Sequence, residues 1–185
     1  MITATKLFTI GHSNRTLAEF FALLHNHGIG QLIDVRSTPQ SQRYPAYNRN
    51  SLNLACEAEK IAYGWLGHEL GGRRNEKPDS RHSALTHSSF RGYADHMDNR
   101  LFVEGISKLT TLARSQPVAI MCAERNPCQC HRSMIADYLS LHSWQITHLL
   151  SLQQHEPHIL NPLARNINNS PVYDLLNEEQ LNFPF

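Results

Sequence analysis

The chain has 185 residues, 41% of them hydrophobic, and a formal net charge of +1 with its histidines neutral. That length suits one domain with an ordinary core, and the near-balance of charge excludes a general pull toward nucleic acid or membrane, so that only a local patch could supply one. No stretch approaches the roughly 18 apolar residues needed to cross a bilayer, and the N-terminal MITATKLFTIGHSN lacks the charged and long apolar regions of a signal peptide.

Along the chain, short apolar runs alternate with amphipathic stretches. Leu7 to Ile10 predicts a strand, ended by Gly11-His12-Ser13-Asn14. Thr16 reads as the N-cap of a helix over LAEFFALLHNH, stopped by Gly28; Leu17, Phe20, Phe21 and Leu24 recur at helical spacing. Gln31 to Val35 predicts a second strand, running into Arg36-Ser37-Thr38-Pro39. A helix from Ser51 to Ala62 and a strand from Tyr63 to Leu66 follow, ending in Gly67-His68-Glu69 and Gly71-Gly72. Residues 73–91 read as an inserted loop rich in Arg, Ser, His and Pro. Phe102 to Arg114 predicts a helix, and Val118 to Met121 a wholly apolar strand, as expected for burial on both faces. Asn126-Pro127 is a helix-start signal for a helix reaching His142, followed by a strand from Gln145 to Leu150.

Strands separated by helices predict right-handed βαβ units. The expected architecture is therefore a single-domain, three-layer α/β sandwich with a mostly parallel, Rossmann-like sheet of about five strands. It spans residues 1–152, with the basic insertion at 73–91. Beyond Leu152 the periodicity is lost, and Pro157, Pro162, Pro171 and Pro184 punctuate a tail over 153–185 expected to pack on the domain.

In a parallel sheet, ligands bind in the crevice outside the carboxyl ends of the strands. Four predicted strands run into polar groups there: His12, Ser13 and Asn14; Asp34, Arg36 and Ser37; His68 and Glu69; Cys122 and Glu124. Asp34 sits inside the end of an apolar strand, where a carboxylate needs a partner, and Arg36 faces the same side two residues on. A local ion pair holding the loop and a functional role both fit this pair.

Three of the four cysteines, Cys122, Cys128 and Cys130, crowd into CAERNPCQCHR. That clustering suits a site in a reducing cytoplasm better than a disulfide framework. A thiol near a helix N-terminus and Arg132 has the surroundings that activate cysteine, and the same surroundings favour a bound anion. Three readings stay open: a nucleophilic Cys122 beside an anion pocket, a metal site using Cys122, Cys128, Cys130 and His131, or small buried fillers. His131 also fits a hydrogen-bonded core position, one helical turn before Ile135. Glu124, directly after a buried strand, reads as a general acid or base, or as a salt-bridge partner of Arg132. The segment from Gly71 to Arg91 sets five cations (Arg73, Arg74, Lys77, Arg81, Arg91) against Glu76 and Asp79. With Tyr44, Tyr47, Phe90 and Tyr93 near in sequence, that segment could meet a phosphate backbone and stack bases, or be a solvated loop.

The motifs TIGHSNRT, LIDVRSTPQSQRYPAYN, LGHELGG, FRGYADHM and MCAERNPCQCHR together resemble a bacterial domain of unknown function, family 488, from about Phe8 to Leu150. The resemblance implies an α/β fold and a site at Asp34, Arg36, Cys122, Glu124, Cys130, His131 and Arg132, with Cys128 outside the pattern. It brings no reaction with it. A looser similarity is to rhodanese-like sulfurtransferases, which place Asp-x-Arg after an early strand, as in Asp34-Val35-Arg36, and a reactive cysteine and an arginine after a later one. Here the loop between Cys122 and Arg132 is longer than in those enzymes, so the likeness is one of layout.

The leading expectation is an enzyme, hydrolase or transferase, for an anionic substrate such as a nucleotide or nucleic-acid component. Asp34, Cys122, Glu124 and His131 are its candidate catalytic residues, and His12, Asn14, Arg36, Tyr44 and Arg132 its candidate binding residues. No metal or cofactor is assigned, and no membrane partner is expected. The alternatives are a non-catalytic nucleic-acid-binding module and a rhodanese-like thiol or persulfide carrier.

Overall fold

The computed structural model describes residues 5–175. Pro184 and the final ten positions of the expected tail, like the first four residues of the N-terminal reading, lie outside the described residues. Eight strands and six α-helices follow in the order β1 (Lys6–Gly11), α1 (Leu17–Asn26), β2 (Gln31–Asp34), α2 (Arg49–Ala58), β3 (Ala62–Trp65), α3 (Gly67–Leu70), α4 (Ser88–Met97), α5 (Arg100–Ser115), β4 (Val118–Cys122), α6 (Arg132–Leu141), β5 (Gln145–Leu149), β6 (His155–Pro157), β7 (Ala164–Ile167) and β8 (Ser170–Tyr173). Six strands form one sheet in the order β3-β2-β4-β1-β5-β6, and β7 and β8 form a separate hairpin. All neighbours in the large sheet are parallel except the β5–β6 pair. This is the expected α/β sandwich with a mostly parallel sheet, with six strands where about five were expected. None of the described helices is long and apolar enough to cross a membrane.

Residue alternation divides the core into two layers. Leu32, Ala119 and Met121 join Phe20, Phe21 and Leu24 of α1 and Leu52 and Cys56 of α2 on one face. Ile33, Val118, Ile120 and Cys122 join α4, α5 and α6 on the other through Tyr93, Phe102, Leu109, Ile135 and Leu139. With both faces covered, β2 and β4 are buried along their whole length, which explains their unbroken apolar runs. Each fully buried aliphatic or aromatic side chain contributes about 1.5–3 kcal/mol relative to exposure.

The chain winds from β1 toward β2 and β3 on one side and from β4 toward β5 on the other, so the switch point lies between β1 and β4. There Gly11 is in register with Cys122. The pairing continues past the strand ends, because the main-chain N–H groups of His12 and Ser13 donate to the carbonyls of Cys122 and Ala123 at 2.9 and 2.7 Å. Gly11 permits the approach: a Cβ there would lie 1.8 Å from the Glu124 carbonyl oxygen.

Local signals explain several boundaries. Thr16 and Glu19 form a reciprocal capping box at the start of α1, and Gly28 takes the left-handed φ of 63° after its end. Other boundaries differ from expectation. The helix expected over Ser51 to Ala62 runs from Arg49 to Ala58, because Lys60 turns left-handed at φ 58° and the chain enters β3 at Ala62. The supposed loop over 73–91 closes into α4 from Ser88. Residues 155–157 join the sheet as β6, antiparallel to β5, and Tyr173 of β8 is buried in the core.

The helix expected from Pro127 to His142 is broken. Pro127–Gln129 is a single 3₁₀ turn, capped by the Asn126 side chain on the Cys128 N–H; Cys130 is extended at φ −143°, ψ 141°; and α6 begins at Arg132 with His131 as its N-cap. The buried Arg132 guanidinium holds the preceding loop by donating to the carbonyls of Glu124 and Arg125 at 2.5 and 2.7 Å.

Candidate functional site

Two clusters meet at the carboxyl edge of the sheet, one on each face. On the α1/α2 side, Asp34 is 0% exposed and accepts four donors. The Arg36 N–H and Nε donate to Oδ1 at 3.0 and 2.9 Å, while Arg36 Nη2 and the Tyr63 hydroxyl donate to Oδ2 at 2.6 and 2.9 Å. Arg36 Nη2 also donates to the Tyr47 carbonyl, and its Nη1 lies 3.3 Å from His12 Nε2. Since guanidinium can only donate, His12 Nε2 accepts, and its Nδ1–H donates to the Ser13 carbonyl at 2.9 Å. Burial, and then the Arg36 charge, lower the His12 pKa to about 4, so the ring is neutral; it stacks on Tyr47 at 4.4 Å. Burial, reinforced by Asp34, pushes the Tyr63 hydroxyl up.

On the opposite face, β4 delivers Cys122 and the break before α6 delivers Cys130 and His131. The His131 Nε2 lies 3.1 Å from the Val35 carbonyl, which can only accept, so Nε2 carries a proton and the ring is held with Nδ1 facing the two sulfurs. That nitrogen is 3.9 Å from Cys122 Sγ and 3.7 Å from Cys130 Sγ. The ring packs edge-on against buried Tyr93 at 4.9 Å between centroids. Gly72 supplies the space, since a Cβ there would fall 2.5 Å from His131 Nδ1. The two thiols share one hydrogen bond, which, with burial, pushes Cys122 well up. The same bond holds Cys130 well down against its burial, with His131 adding to the effect.

Both clusters open into one cleft of about 890 Å³, lined by His12, Arg36, Tyr44, Cys122, Glu124 and His131 of the expected residues. Asn14, Asp34 and Arg132 do not line it: Asn14 is exposed, and the other two are enclosed by the bonds described above. Glu124 is exposed, so it carries no burial cost needing relief, and Arg132 takes its main-chain oxygen rather than its carboxylate. Cys128 is exposed and stands outside the Cys122, Cys130 and His131 cluster, which removes it from the four-ligand reading. Cys130 belongs to the trio although it is not among the expected catalytic or binding residues; the family resemblance is the signal that pointed to it.

The cleft is also lined by Arg73 and Phe90 of the basic segment, which the sequence offered as a surface for a phosphate backbone and bases, and by Arg43, which sequence reasoning omitted. Among the described residues no carboxylate pairs with Arg43 or Arg73. The other arginines of the basic segment are engaged internally: Arg74 with the Gly71 and His68 carbonyls, Arg81 with Asp98, and Arg91 with Glu76 and the Leu85 carbonyl. A neighbouring groove of about 810 Å³ over Ser37–Ser51 and Trp65 is lined by no cysteine, histidine or carboxylate, so the thiols and the His131 imidazole face the first cleft.

Residues 16–139 match the family model described as Domain of unknown function DUF488. No curated protein and no solved structure matches the chain.

Proposed function

From its membership of the DUF488 family, whose function is unknown, this chain inherits no reaction, and we propose that it is an enzyme, a hydrolase or transferase, acting on a nucleotide-like anion bound in the cleft between the two clusters. One observation carries the reading: a single cleft combines two cations, Arg43 and Arg73, that lack carboxylate partners among the described residues, with the sulfur–imidazole trio of Cys122, Cys130 and His131. The arginines would receive the charged group, Tyr44 and Phe90 offer faces on which a base can stack, and the trio is the reactive centre. The buried Asp34–Arg36 pair fixes the floor: Asp34 accepts from four donors and is a positioning residue, not a proton carrier.

Calorimetric titration of the full chain with AMP tests the binding half. Saturable one-to-one binding is expected, weakened about tenfold by Arg43→Ala or Arg73→Ala, the loss of one charge-assisted hydrogen bond. No binding of AMP or inorganic phosphate, or binding indifferent to both substitutions, overturns the reading. The catalytic half is tested by turnover of phosphate mono- and diesters, with Cys122→Ser as the inactive reference.

The proximity of two sulfurs to one imidazole favours a second reading, a persulfide carrier of the rhodanese type. A persulfide on Cys130 after treatment with thiosulfate, seen as one added sulfur by mass spectrometry, would support it; an unmodified peptide would remove it.

A further inference from the structure

The ligand-type atoms of Cys122, Cys130 and His131 all lie within 4.8 Å of one another. A tetrahedral ion with metal–sulfur bonds of about 2.3 Å and metal–nitrogen bonds of about 2.0 Å separates its nitrogen and sulfur ligands by about 3.5 Å, and two sulfurs by about 3.8 Å. The observed nitrogen–sulfur separations of 3.7 and 3.9 Å are therefore edges of a coordination tetrahedron with a few tenths of an ångström to spare. We propose that Cys122, Cys130 and His131 form a binding site for a soft, zinc-type divalent cation, with three protein ligands and a fourth position open to the cleft.

Four further features support it. The imidazole is held with Nδ1 facing both sulfurs, because Nε2–H is committed to the Val35 carbonyl; a backbone carbonyl behind the ring is one of the usual outer partners of a metal-bound histidine. Two thiolates neutralise a divalent charge in a buried setting, where an unbalanced one would be costly. The sulfur-rich donors select against magnesium and calcium, which take oxygen. All three residues line the cleft, so water or substrate can complete the shell, as in sites with three protein ligands that polarise a bound oxygen. Cys128 is not needed, which is why its absence from the family pattern does not count against the site. The inference stands on this geometry and draws on the proposed substrate only for what the metal would act on.

The test uses the reduced, full-length, metal-free chain titrated with Co²⁺ and followed by absorption. One equivalent should bring up sulfur-to-cobalt charge transfer and the intense visible bands of a tetrahedral centre, and added Zn²⁺ should displace them. Cys122→Ser, Cys130→Ser and His131→Gln should each raise the dissociation constant by at least about 100-fold, and Gly72→Ala, which crowds Nδ1 without removing a ligand, by about tenfold or more. Cys128→Ser should leave it unchanged. Each variant's far-UV dichroism establishes that the chain has folded, and the wild-type bands are decisive whether or not any variant folds. Absent bands in the wild type, bands that survive Cys122→Ser, or bands lost in Cys128→Ser overturn the site. AMP titration of the metal-free chain separates the two conclusions: binding without cobalt bands sinks the metal site alone, and cobalt bands without AMP binding sink the proposed substrate alone.

Discussion

The two clusters at the sheet edge differ in how fully their polar atoms are used. Around Asp34 every side-chain oxygen and nitrogen has a partner: Arg36, Tyr63 and the main chain converge on one carboxylate, and His12 completes the ring by accepting from Arg36. Around Cys122 the reverse holds. Two sulfurs face one imidazole nitrogen at 3.7 and 3.9 Å, beyond any strong hydrogen bond, and look into the cleft. A saturated polar network resists change, because losing one member strands the others; an undersaturated set of donor atoms is ready to take a guest. In the function proposed above, the first cluster is the scaffold and the second the reactive centre.

That contrast is most exposed to Asp34→Ala. Removing the carboxylate strands a guanidinium that is only 6% exposed, and the expected cost is about 3–5 kcal/mol, read from the denaturation midpoint. Cys122→Ala should cost about 1 kcal/mol while abolishing whatever turnover is found. Equal stability losses in the two variants would erase the distinction.

A second saturated chain extends the comparison to a region remote from the cleft. Thr9 donates to His148 Nδ1 at 2.7 Å, His148 Nε2 to His158 Nδ1 at 3.0 Å, and His158 Nε2 to Asp137 at 2.9 Å, while the Tyr173 hydroxyl donates to the other Asp137 oxygen at 2.7 Å. Burial, and then His158, lower the His148 pKa to about 4 from an ordinary 6.5. As pH falls from 6.5, the unfolded chain therefore takes up this proton before the folded one does. Stability is complete above pH 6.5 and declines toward pH 4, by up to about 3 kcal/mol. Urea titrations across that window should show the decline, and His148→Asn should remove this ring's share of it while leaving the share that His12, also lowered to about 4, contributes; an unchanged slope would mean that burial does not hold the His148 ring neutral.

A smaller effect is expected from Tyr63→Phe, which takes one of four donors from Asp34 and should cost about 1–2 kcal/mol without altering cobalt binding. Smallest is Arg73→Ala: exposed and without a carboxylate partner among the described residues, it should shift stability by less than about 0.5 kcal/mol while weakening AMP binding. A larger stability loss there would make Arg73 part of the scaffold.

What the sequence made legible was what neighbouring residues decide. The cap at Thr16, the stop at Gly28 and the apolar run of β4 are local signals, and all three are where they were expected. The Asp34–Arg36 pair was visible because strand alternation puts both on one face. The break before α6 was not visible, because Arg132 sets it by gripping carbonyls seven and eight residues upstream, against a Pro127 signal favouring an early start. For the same reason local spacing could not choose between Cys128 and Cys130, and only the family resemblance did: the extended backbone at Cys130 turns that thiol toward Cys122. β6 escaped because its three residues, His155, Glu156 and Pro157, are all exposed and carry no apolar alternation. The fit of His131 against Gly72 joins residues far apart in sequence, with no local trace.

The ladder between the ends of β1 and β4 continues for two residues beyond the sheet, through the amides of His12 and Ser13. Those two protons, in what is formally a loop, should exchange with solvent as slowly as those of the central strands, because releasing them means parting the floor on which both clusters rest. They are a built-in clock for the cleft: a ligand that bridges the two faces should slow them together, and one that touches only the rim should leave them running at the same rate.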